Sequence, residues 1–244
     1  MKTIPNIITL INLFLGCMAV SAAFAGQPAS AGGLIIICAI LDFLDGTAAR
    51  LLKAGSEMGK QLDSLADLIS FGLAPAAIMF YYMSTSPHTP GMNAWLAGHA
   101  PYLAFLLTIC SAIRLARFNT DPRQTSSFIG LPTPANAMFF ATIPLVISYS
   151  GKQGLVYTML VDLTASIPLM GILLLLFSWL LISPIHMFSL KFKSLGVRKN
   201  ATRYVFLVLV IMLFLLVGWE SMPLIMLLYI GTSIIAENLV PAKY

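Results

Sequence analysis

Residues 42–67 read D-F-L-D-G-T-A-A-R-L-L-K-A-G-S-E-M-G-K-Q-L-D-S-L-A-D, and they join two apolar segments. This stretch holds four of the nine Asp and Glu residues of the chain, namely Asp42, Asp45, Asp63 and Asp67. Carboxylates crowded between hydrocarbon segments repel one another, and a divalent cation removes that repulsion while they stay ionised. The stretch therefore predicts a cation site.

The spacing of the four aspartates predicts how the cation is held. Asp42 and Asp45 are i, i+3, and Asp63 and Asp67 are i, i+4, so each pair shares one face if the segments are helical. Two facing pairs form a cage of oxygen atoms. Because no Cys or His lies in this window, the ligand set favours Mg²⁺, Mn²⁺ or Ca²⁺ over zinc or copper.

Groups that suit a phosphate lie beside the aspartates. Gly46 follows Asp45 directly and lets a ligand approach the backbone. Arg50, one turn further, offers a planar fork of donors. Together they predict a site for a diphosphate. A simpler interpretation pairs the carboxylates with Arg50, Lys53 and Lys60 in a solvated loop, but it does not explain two helical Asp pairs interleaved with Gly and Arg.

The composition predicts a polytopic membrane protein. Of 244 residues, 59% are hydrophobic and 9% are charged, with a mean hydropathy of +0.90, which excludes an ordinary soluble globule. Apolar runs long enough to cross a hydrocarbon core of about 30 Å predict eight transmembrane helices. They lie at about 7–25, 31–53, 61–83, 95–117, 133–150, 165–185, 203–219 and 222–239. The predicted fold is an all-α bundle in one domain, 1–244, with a core of about 1–185 and two further helices.

The distribution of Lys and Arg predicts the orientation. If the first apolar segment is an uncleaved helix that starts inside, every Lys and Arg except Lys152 falls on the inner side. Such a bias is typical of cytoplasmic loops. Both termini and the aspartates are therefore predicted to be cytoplasmic.

A second group of polar residues ends the fourth apolar segment. Arg114 and Arg117 are i, i+3 and point the same way from one helix end, with Asn119 just beyond. A pair of arginines facing carboxylates can bind a second anion, such as a lipid phosphate or an amino-acid carboxylate. For either arginine alone, snorkelling to the membrane interface is the simpler alternative.

Three polar residues, Asn6, Thr9 and Asn12, lie on one face of the first helix at i, i+3 spacing. Interhelical hydrogen bonding, worth about 0.6 kcal/mol on average, explains them without any ligand. The other interpretation, held equally, is that these residues line a nucleotide site, and Asn12 is included among its predicted residues.

Eight fixed positions match D-x2-D-G-x2-A-R-x8-G-x3-D-x3-D, the signature of the CDP-alcohol phosphotransferase family, which this sequence resembles. The matching residues are Asp42, Asp45, Gly46, Ala49, Arg50, Gly59, Asp63 and Asp67. The resemblance supports two divalent ions, Mg²⁺ or Mn²⁺, bound by the four aspartates. It also implies that the last aspartate, Asp67, is the general base. The remaining four signature residues would line the nucleotide.

Further segments resemble the phosphatidylserine synthase branch of this family. They are F-G-L-A-P at 71–75, R-L-A-R-F-N at 114–119 and G-L-P-T-P-A-N-A at 130–137. The last of these is interpreted as a rigid loop that starts the fifth helix. In the phosphatidylglycerophosphate synthase branch the signature usually continues Asp-Lys, whereas Leu68 follows Asp67 here.

The resemblance to this branch implies CDP-diacylglycerol and L-serine as substrates. Arg114 and Arg117, with Asn119, would then face serine or the lipid phosphate. A homodimer in the inner membrane of a bacterium is also implied, with membrane lipids and no nucleic acid as partners. Glycerol 3-phosphate and inositol phosphate are alternative acceptors, since they share the signature. A cation transporter is a distant alternative, disfavoured because the carboxylates gather at one face and no repeat is detectable.

Overall fold

The computed structural model of the chain describes residues 3–87, 92–120, 128–151, 154–187 and 201–239, and helices dominate these ranges. A backbone surrounded by hydrocarbon must satisfy its own hydrogen bonds, which favours helices. The predicted all-α class is confirmed. In chain order the α-helices of the described ranges are α1 (Thr3–Phe24), α2 (Pro28–Leu51), α3 (Glu57–Asp67), α4 (Ala74–Thr85), α5 (Ala94–His99), α6 (Leu106–Thr120), α7 (Thr133–Tyr149), α8 (Leu155–Thr164), α9 (Ile167–Ile182), α10 (Ala201–Val217) and α11 (Ser221–Leu239).

Two of the predicted spans are built from consecutive helical segments. α3 passes through a π-helical turn, Leu68–Leu73, directly into α4, and α5 passes through a 3₁₀ turn, Ala100–Phe105, into α6. α3 begins after Ser56, whose hydroxyl oxygen accepts a hydrogen bond of 3.0 Å from the Gly59 N–H as an N-cap. The π-helical turn follows Asp67 immediately, and such turns are frequent at functional sites.

Fewer helices than predicted have the length and hydropathy that a membrane crossing needs. Within the described ranges four helical runs qualify, Ile4–Phe24, Glu57–Thr85, Ala94–Thr120 and Arg203–Ile235. A fifth is added if α8 and α9, which are bent by 97° at their junction, count as one span. α7 has only 17 residues, which is short for a core of about 30 Å. An all-α bundle with helices of membrane length is thus confirmed, whereas the count of eight is not.

The C-terminal run Arg203–Ile235 folds back on itself. Gly218 has φ +62°, a left-handed conformation that interrupts the helix and that glycine adopts without strain. The ring centroids of Phe206 and Tyr229 are 6.1 Å apart, although a straight helix would separate residues so distant in sequence by about 35 Å. α10 and α11 are therefore two antiparallel helices, called here the C-terminal hairpin.

The main hydrophobic core lies where α7 and α9 meet α6. Phe139, Phe140 and Phe177 pack ring against ring, with centroid distances of 4.4, 5.1 and 5.2 Å. Phe206 and Tyr229 of the C-terminal hairpin belong to the same buried cluster. Full burial of one such aromatic side chain stabilises a fold by about 2–3 kcal/mol. The C-terminal hairpin is therefore packed on the same core as the rest of the bundle.

One end of the bundle collects the described Lys and Arg residues together with Asp42, Asp45, Asp63 and Asp67, and we call it the charged end. There α2 ends, α3 begins, α6 ends and α7 begins. The strands β1 (Phe128–Ile129) and β2 (His186–Met187) pair antiparallel next to the start of α7 and the end of α9. The Lys and Arg residues of the described ranges all lie within about two helical turns of this end, and they are Arg50, Lys53, Lys60, Arg114, Arg117 and Arg203.

Candidate active site

Helices α2 and α3 bring three of the four predicted aspartates together. Asp42 lies in the second half of α2, and Asp63 and Asp67 lie one turn apart on α3. One carboxylate oxygen from each of the three lies within 4.8 Å of the others. The i, i+4 spacing on α3 places both of its side chains on one face. We call these three residues the acidic cluster.

Two oxygen atoms of the acidic cluster lack a partner in the described ranges. Asp63 Oδ1 and Asp67 Oδ1 are buried from solvent and accept no hydrogen bond from a described residue. Asp67 as a whole is 8% exposed. Buried carboxylate oxygens without donors are costly, whereas a hard divalent cation takes such oxygens as ligands. The cluster can therefore hold a metal ion, and its three residues are the ones that would hold it.

Asp45 is placed differently from the other three aspartates. Its Oδ2 accepts a hydrogen bond of 2.7 Å from Thr9 Oγ1 of α1, and its side chain is buried. Among the described residues, it is not one of those whose oxygens converge in the acidic cluster. Instead it lines the neighbouring cleft together with Asp63. Metal ligation by Asp45 stays a prediction.

A cleft of about 220 Å³ opens beside the acidic cluster, between α1, α2, α3 and the connection 52–56. Three of the residues predicted to line a nucleotide, Gly46, Ala49 and Gly59, are in its walls. A Cβ atom on Gly59 would lie 3.1 Å from Asn6 Oδ1, so a side chain there would crowd the wall. The polar side chains that line the cleft are Asn6, Thr9, Asp45, Ser56, Lys60 and Asp63. We call this space the nucleotide cleft.

Arg50 and Asn12, the other two residues predicted to contact the nucleotide, lie outside these walls. Arg50 is exposed, and its Nη2 donates to Thr47 Oγ1 at 3.1 Å along the same helix. Asn12 is fully buried, and its Oδ1 accepts a hydrogen bond of 3.0 Å from Ser70 Oγ. Asn12 thus joins α1 to the π-helical turn that follows Asp67, which is the interhelical role of the simpler interpretation.

The predicted arginine pair does not form one fork. Arg114 is 6% exposed and donates from Nη1 to Thr133 Oγ1 at 2.9 Å. Arg117 is exposed and donates from Nη1 to the Ile182 carbonyl at 3.3 Å. Long side chains at i, i+3 start on the same face, but each bends toward the partner that its surroundings offer. Of the two, only Arg114 is turned into the interior.

Arg114 belongs to a buried polar group that sequence reasoning missed. Arg114 Nε, Ser111 Oγ and both amide atoms of Asn136 are buried without a hydrogen-bond partner among the described residues. Ser111 lies one turn before Arg114 on α6, and Asn136 lies one turn after Thr133 on α7. Arg114 also interacts electrostatically with Asp67. We call Ser111, Arg114, Thr133 and Asn136 the arginine cluster.

The sequence carried a signal for part of the arginine cluster. Thr133 and Asn136 are polar residues in the segment 130–137, where a rigid helix start was predicted, and α7 does begin at Thr133. A buried ionisable residue such as Arg114 in a membrane helix indicates function by default, and Thr133 is its hydrogen-bond partner. No local pattern pointed to Tyr229 of the C-terminal hairpin, which lies close enough to Arg114 for an electrostatic interaction.

Asn119 contacts α3 and not the arginine cluster. Its side-chain Nδ2 donates to Ser64 Oγ at 2.7 Å, and its backbone carbonyl oxygen accepts a hydrogen bond of 3.1 Å from Lys60 Nζ. These two bonds join the end of α6 to the helix that carries Asp63 and Asp67. Asn119 therefore acts between helices in the described structure.

An acidic cluster beside a glycine-lined cleft lies at the charged end of this all-α bundle. The chain matches the CDP-alcohol phosphatidyltransferase family over residues 2–190. The chain therefore belongs to that family.

Three similar proteins all carry the name CDP-diacylglycerol–serine O-phosphatidyltransferase. The protein of Mycobacterium leprae is 38% identical over 146 residues, 57% of this chain and 45% of the relative. That of Helicobacter pylori is 42% identical over 136 residues, 55% and 54% of the two chains. That of Bacillus subtilis is 34% identical over 164 residues, 65% and 87%. The match thus spans about half the length of the first two relatives.

Proposed function

We propose that this protein transfers the phosphatidyl group of CDP-diacylglycerol to the hydroxyl group of L-serine, giving phosphatidylserine and CMP. The observation that carries the proposal is the position of the acidic cluster, between the nucleotide cleft and the arginine cluster. Asp63 lines the cleft, and Asp67, one turn further on α3, interacts with Arg114. The names of the relatives in Mycobacterium leprae, Helicobacter pylori and Bacillus subtilis support the choice of substrates.

The cleft and the acidic cluster divide the work of the proposed reaction. The nucleotide cleft holds the cytidine nucleotide, with Gly46 and Gly59 leaving room for it. The serine oxygen forms a bond to the lipid-side phosphorus, the bond from that phosphorus to the bridging diphosphate oxygen breaks, and CMP leaves with the electron pair. Asp67 accepts the hydroxyl proton as general base. A divalent cation, Mg²⁺ or Mn²⁺, bound by the acidic cluster would neutralise charge on the phosphates.

The arginine cluster is the proposed site for serine. Serine brings one carboxylate and one ammonium group and no phosphate, so it needs a planar donor fork more than a high positive charge. Arg114 supplies the fork, and its buried Nε is free of described partners. The amide of Asn136 offers a donor and an acceptor for the remaining groups. Arg117, exposed near the end of α6, is better placed for a lipid phosphate.

We also propose that the charged end faces the cytoplasm in the inner membrane of a bacterium, with the protein acting as a homodimer. All described Lys and Arg residues gather near this end, which supports the orientation. CDP-diacylglycerol would enter laterally from the bilayer and serine from water. Single cysteines replacing Lys53 and Asp162, in a background lacking Cys17, Cys38 and Cys110, should be labelled from opposite sides of the membrane. Labelling from the same side would overturn the orientation.

The acceptor is tested directly with the purified protein. CDP-diacylglycerol and Mg²⁺ or Mn²⁺ are supplied with L-serine, glycerol 3-phosphate or inositol phosphate in separate reactions, and the lipid product is identified by mass spectrometry. We expect phosphatidylserine from L-serine and little product from the other two. A protein that ignored serine and made phosphatidylglycerophosphate or an inositol lipid would overturn the acceptor, while the family chemistry would stand.

A further inference from the structure

Lys60 is the one cation among the described residues that line the nucleotide cleft. It lies one turn before Asp63 on α3 and directly after Gly59. Its Nζ donates to the carbonyl oxygen of Asn119 at 3.1 Å, across from the end of α6. Neither the family signature nor the sequence interpretation gave this residue a part in binding.

The negative charges in the nucleotide cleft favour a cation in its wall. Two carboxylates, Asp45 and Asp63, are in its walls, and a nucleotide diphosphate adds further negative charge. Arg50, to which the sequence assigned the phosphate, is exposed and bonds to Thr47, with its Nη1 3.6 Å from where a Cβ atom on Gly46 would lie. Lys60 is the cation among the described lining residues, and beside a metal ion on the acidic cluster it can offset part of the phosphate charge there.

The contact with Asn119 leaves Lys60 able to bind a second oxygen. A lysine ammonium has three donors, and the described bond to the Asn119 carbonyl uses one of them. That carbonyl belongs to the last turn of α6, which is tied to α3 a second time by the bond from Asn119 Nδ2 to Ser64 Oγ at 2.7 Å. The backbone of Asn119 therefore holds a flexible side chain in position before the ligand arrives, which lowers the entropy cost of binding.

We propose that Lys60, positioned by the Asn119 carbonyl, binds a phosphate oxygen of the nucleotide in the cleft. This rests on the proposed function in one respect, that the ligand is a cytidine nucleotide with a diphosphate. In this proposal α3 contributes two residues to substrate binding: Asp63 would bind the metal ion and Lys60 would bind the phosphate. Asn119 would then act by positioning Lys60, and it would not contact serine.

The test is equilibrium binding of CDP and of cytidine to the purified full-length protein by calorimetry, with Mg²⁺ present throughout. Loss of one charge-assisted phosphate contact should weaken CDP binding about tenfold or more in Lys60→Met. Affinity for cytidine, which has no phosphate, should stay unchanged. Lys60→Arg should retain most of the CDP affinity, because it keeps the charge.

Three further variants separate this role from a structural one. Lys53→Met removes a nearby exposed lysine outside the cleft and should leave CDP affinity unchanged. Ser64→Ala breaks the other α3–α6 bond while keeping the cation, and it should also bind CDP normally. Lys60→Gln keeps a donor but removes the charge; it should behave like Lys60→Met, and it replaces that variant if Lys60→Met fails to fold.

Two results would overturn the inference. One is equal loss of CDP affinity in Lys60→Met and Ser64→Ala, which would make Lys60 a helix tie. The other is loss of CDP and cytidine affinity in parallel, which would place the effect on the shape of the cleft. Since no acceptor takes part in this assay, a wrong choice of serine in the proposed function would leave its outcome untouched.

Discussion

The nucleotide cleft and the arginine cluster lie on two sides of the acidic cluster and are built in different ways. The cleft is open, and residues of four consecutive segments between positions 5 and 63, three glycines among them, form its walls. The arginine cluster is buried, and it joins residues of α6 and α7 through a contact between Arg114 and Thr133. A site that must admit a large nucleotide needs space, whereas a site that selects a small amino acid needs fixed polar groups.

The acidic cluster lies next to both the nucleotide cleft and the arginine cluster. The largest expected loss of turnover therefore comes from a change in this cluster, at Asp67. We expect Asp67→Asn to lower turnover by at least about 100-fold, because the amide keeps the shape but cannot accept the hydroxyl proton. CDP binding should survive in large part, and turnover is measured at saturating Mg²⁺ because Asp67 is also one of the three residues that would hold the metal ion. Asp162→Asn, an exposed change on α8, is the matched control. Turnover above about a tenth of the wild-type value would remove Asp67 as general base.

The other two members of the acidic cluster, Asp42 and Asp63, should affect metal binding first. Asp63→Asn and Asp42→Asn each remove a charged oxygen, and we expect Mn²⁺ affinity to fall by more than the roughly 10- to 100-fold that changes beside a ligand cost. Mn²⁺ binding is measured by electron paramagnetic resonance without substrate. Unaltered Mn²⁺ affinity in both variants would contradict a metal site at the acidic cluster.

Changes in the arginine cluster should affect binding of the acceptor serine and not binding of CDP-diacylglycerol. We expect Arg114→Lys to raise the KM for serine about tenfold and to leave the KM for CDP-diacylglycerol within about twofold, because lysine cannot reproduce a bidentate contact. Arg117→Lys, three residues away, should change the KM for serine far less. The two KM values are measured by steady-state kinetics with each substrate varied in turn. An equal rise of the KM for serine in both variants would indicate that the two arginines bind serine together.

The smallest effect concerns the hydrogen bond between Thr9 and Asp45 at the cleft. Thr9→Val removes a donor to a buried carboxylate, and we expect CDP affinity to fall about five- to tenfold. Thr158→Val on the exposed face of α8 is the control. If Thr9→Val instead altered the KM for serine and spared CDP, the division between the two sides would fail.

The aspartate window shows how far sequence reasoning reached. Asp42, Asp63 and Asp67 are brought together within 4.8 Å, and their helical spacing predicted this proximity. Gly46, Ala49 and Gly59 were predicted for the nucleotide and do line the cleft. These residues lie close together in sequence, so helical periodicity and one short connection suffice to place them.

Features outside this window depend on long-range contacts. Arg114 and Arg117 share a helical face, yet one bonds to Thr133 and the other to the Ile182 carbonyl. The predicted count of eight spans was not confirmed, since helix length and bending depend on how neighbours pack. A hydropathy profile alone does not predict the 97° bend between α8 and α9.

By itself the sequence determined the all-α class and the apolar helices, and it predicted a cation site of aspartates beside a phosphate site with glycines, because composition, helical period and residue chemistry are local properties. Only the tertiary structure decided which polar group faces which. It turned Arg114 inward and Arg117 outward, set Lys60 in the cleft against Asn119, and brought Tyr229 of the C-terminal hairpin toward Arg114. Such pairings join residues far apart in the chain, and packing of whole helices selects them.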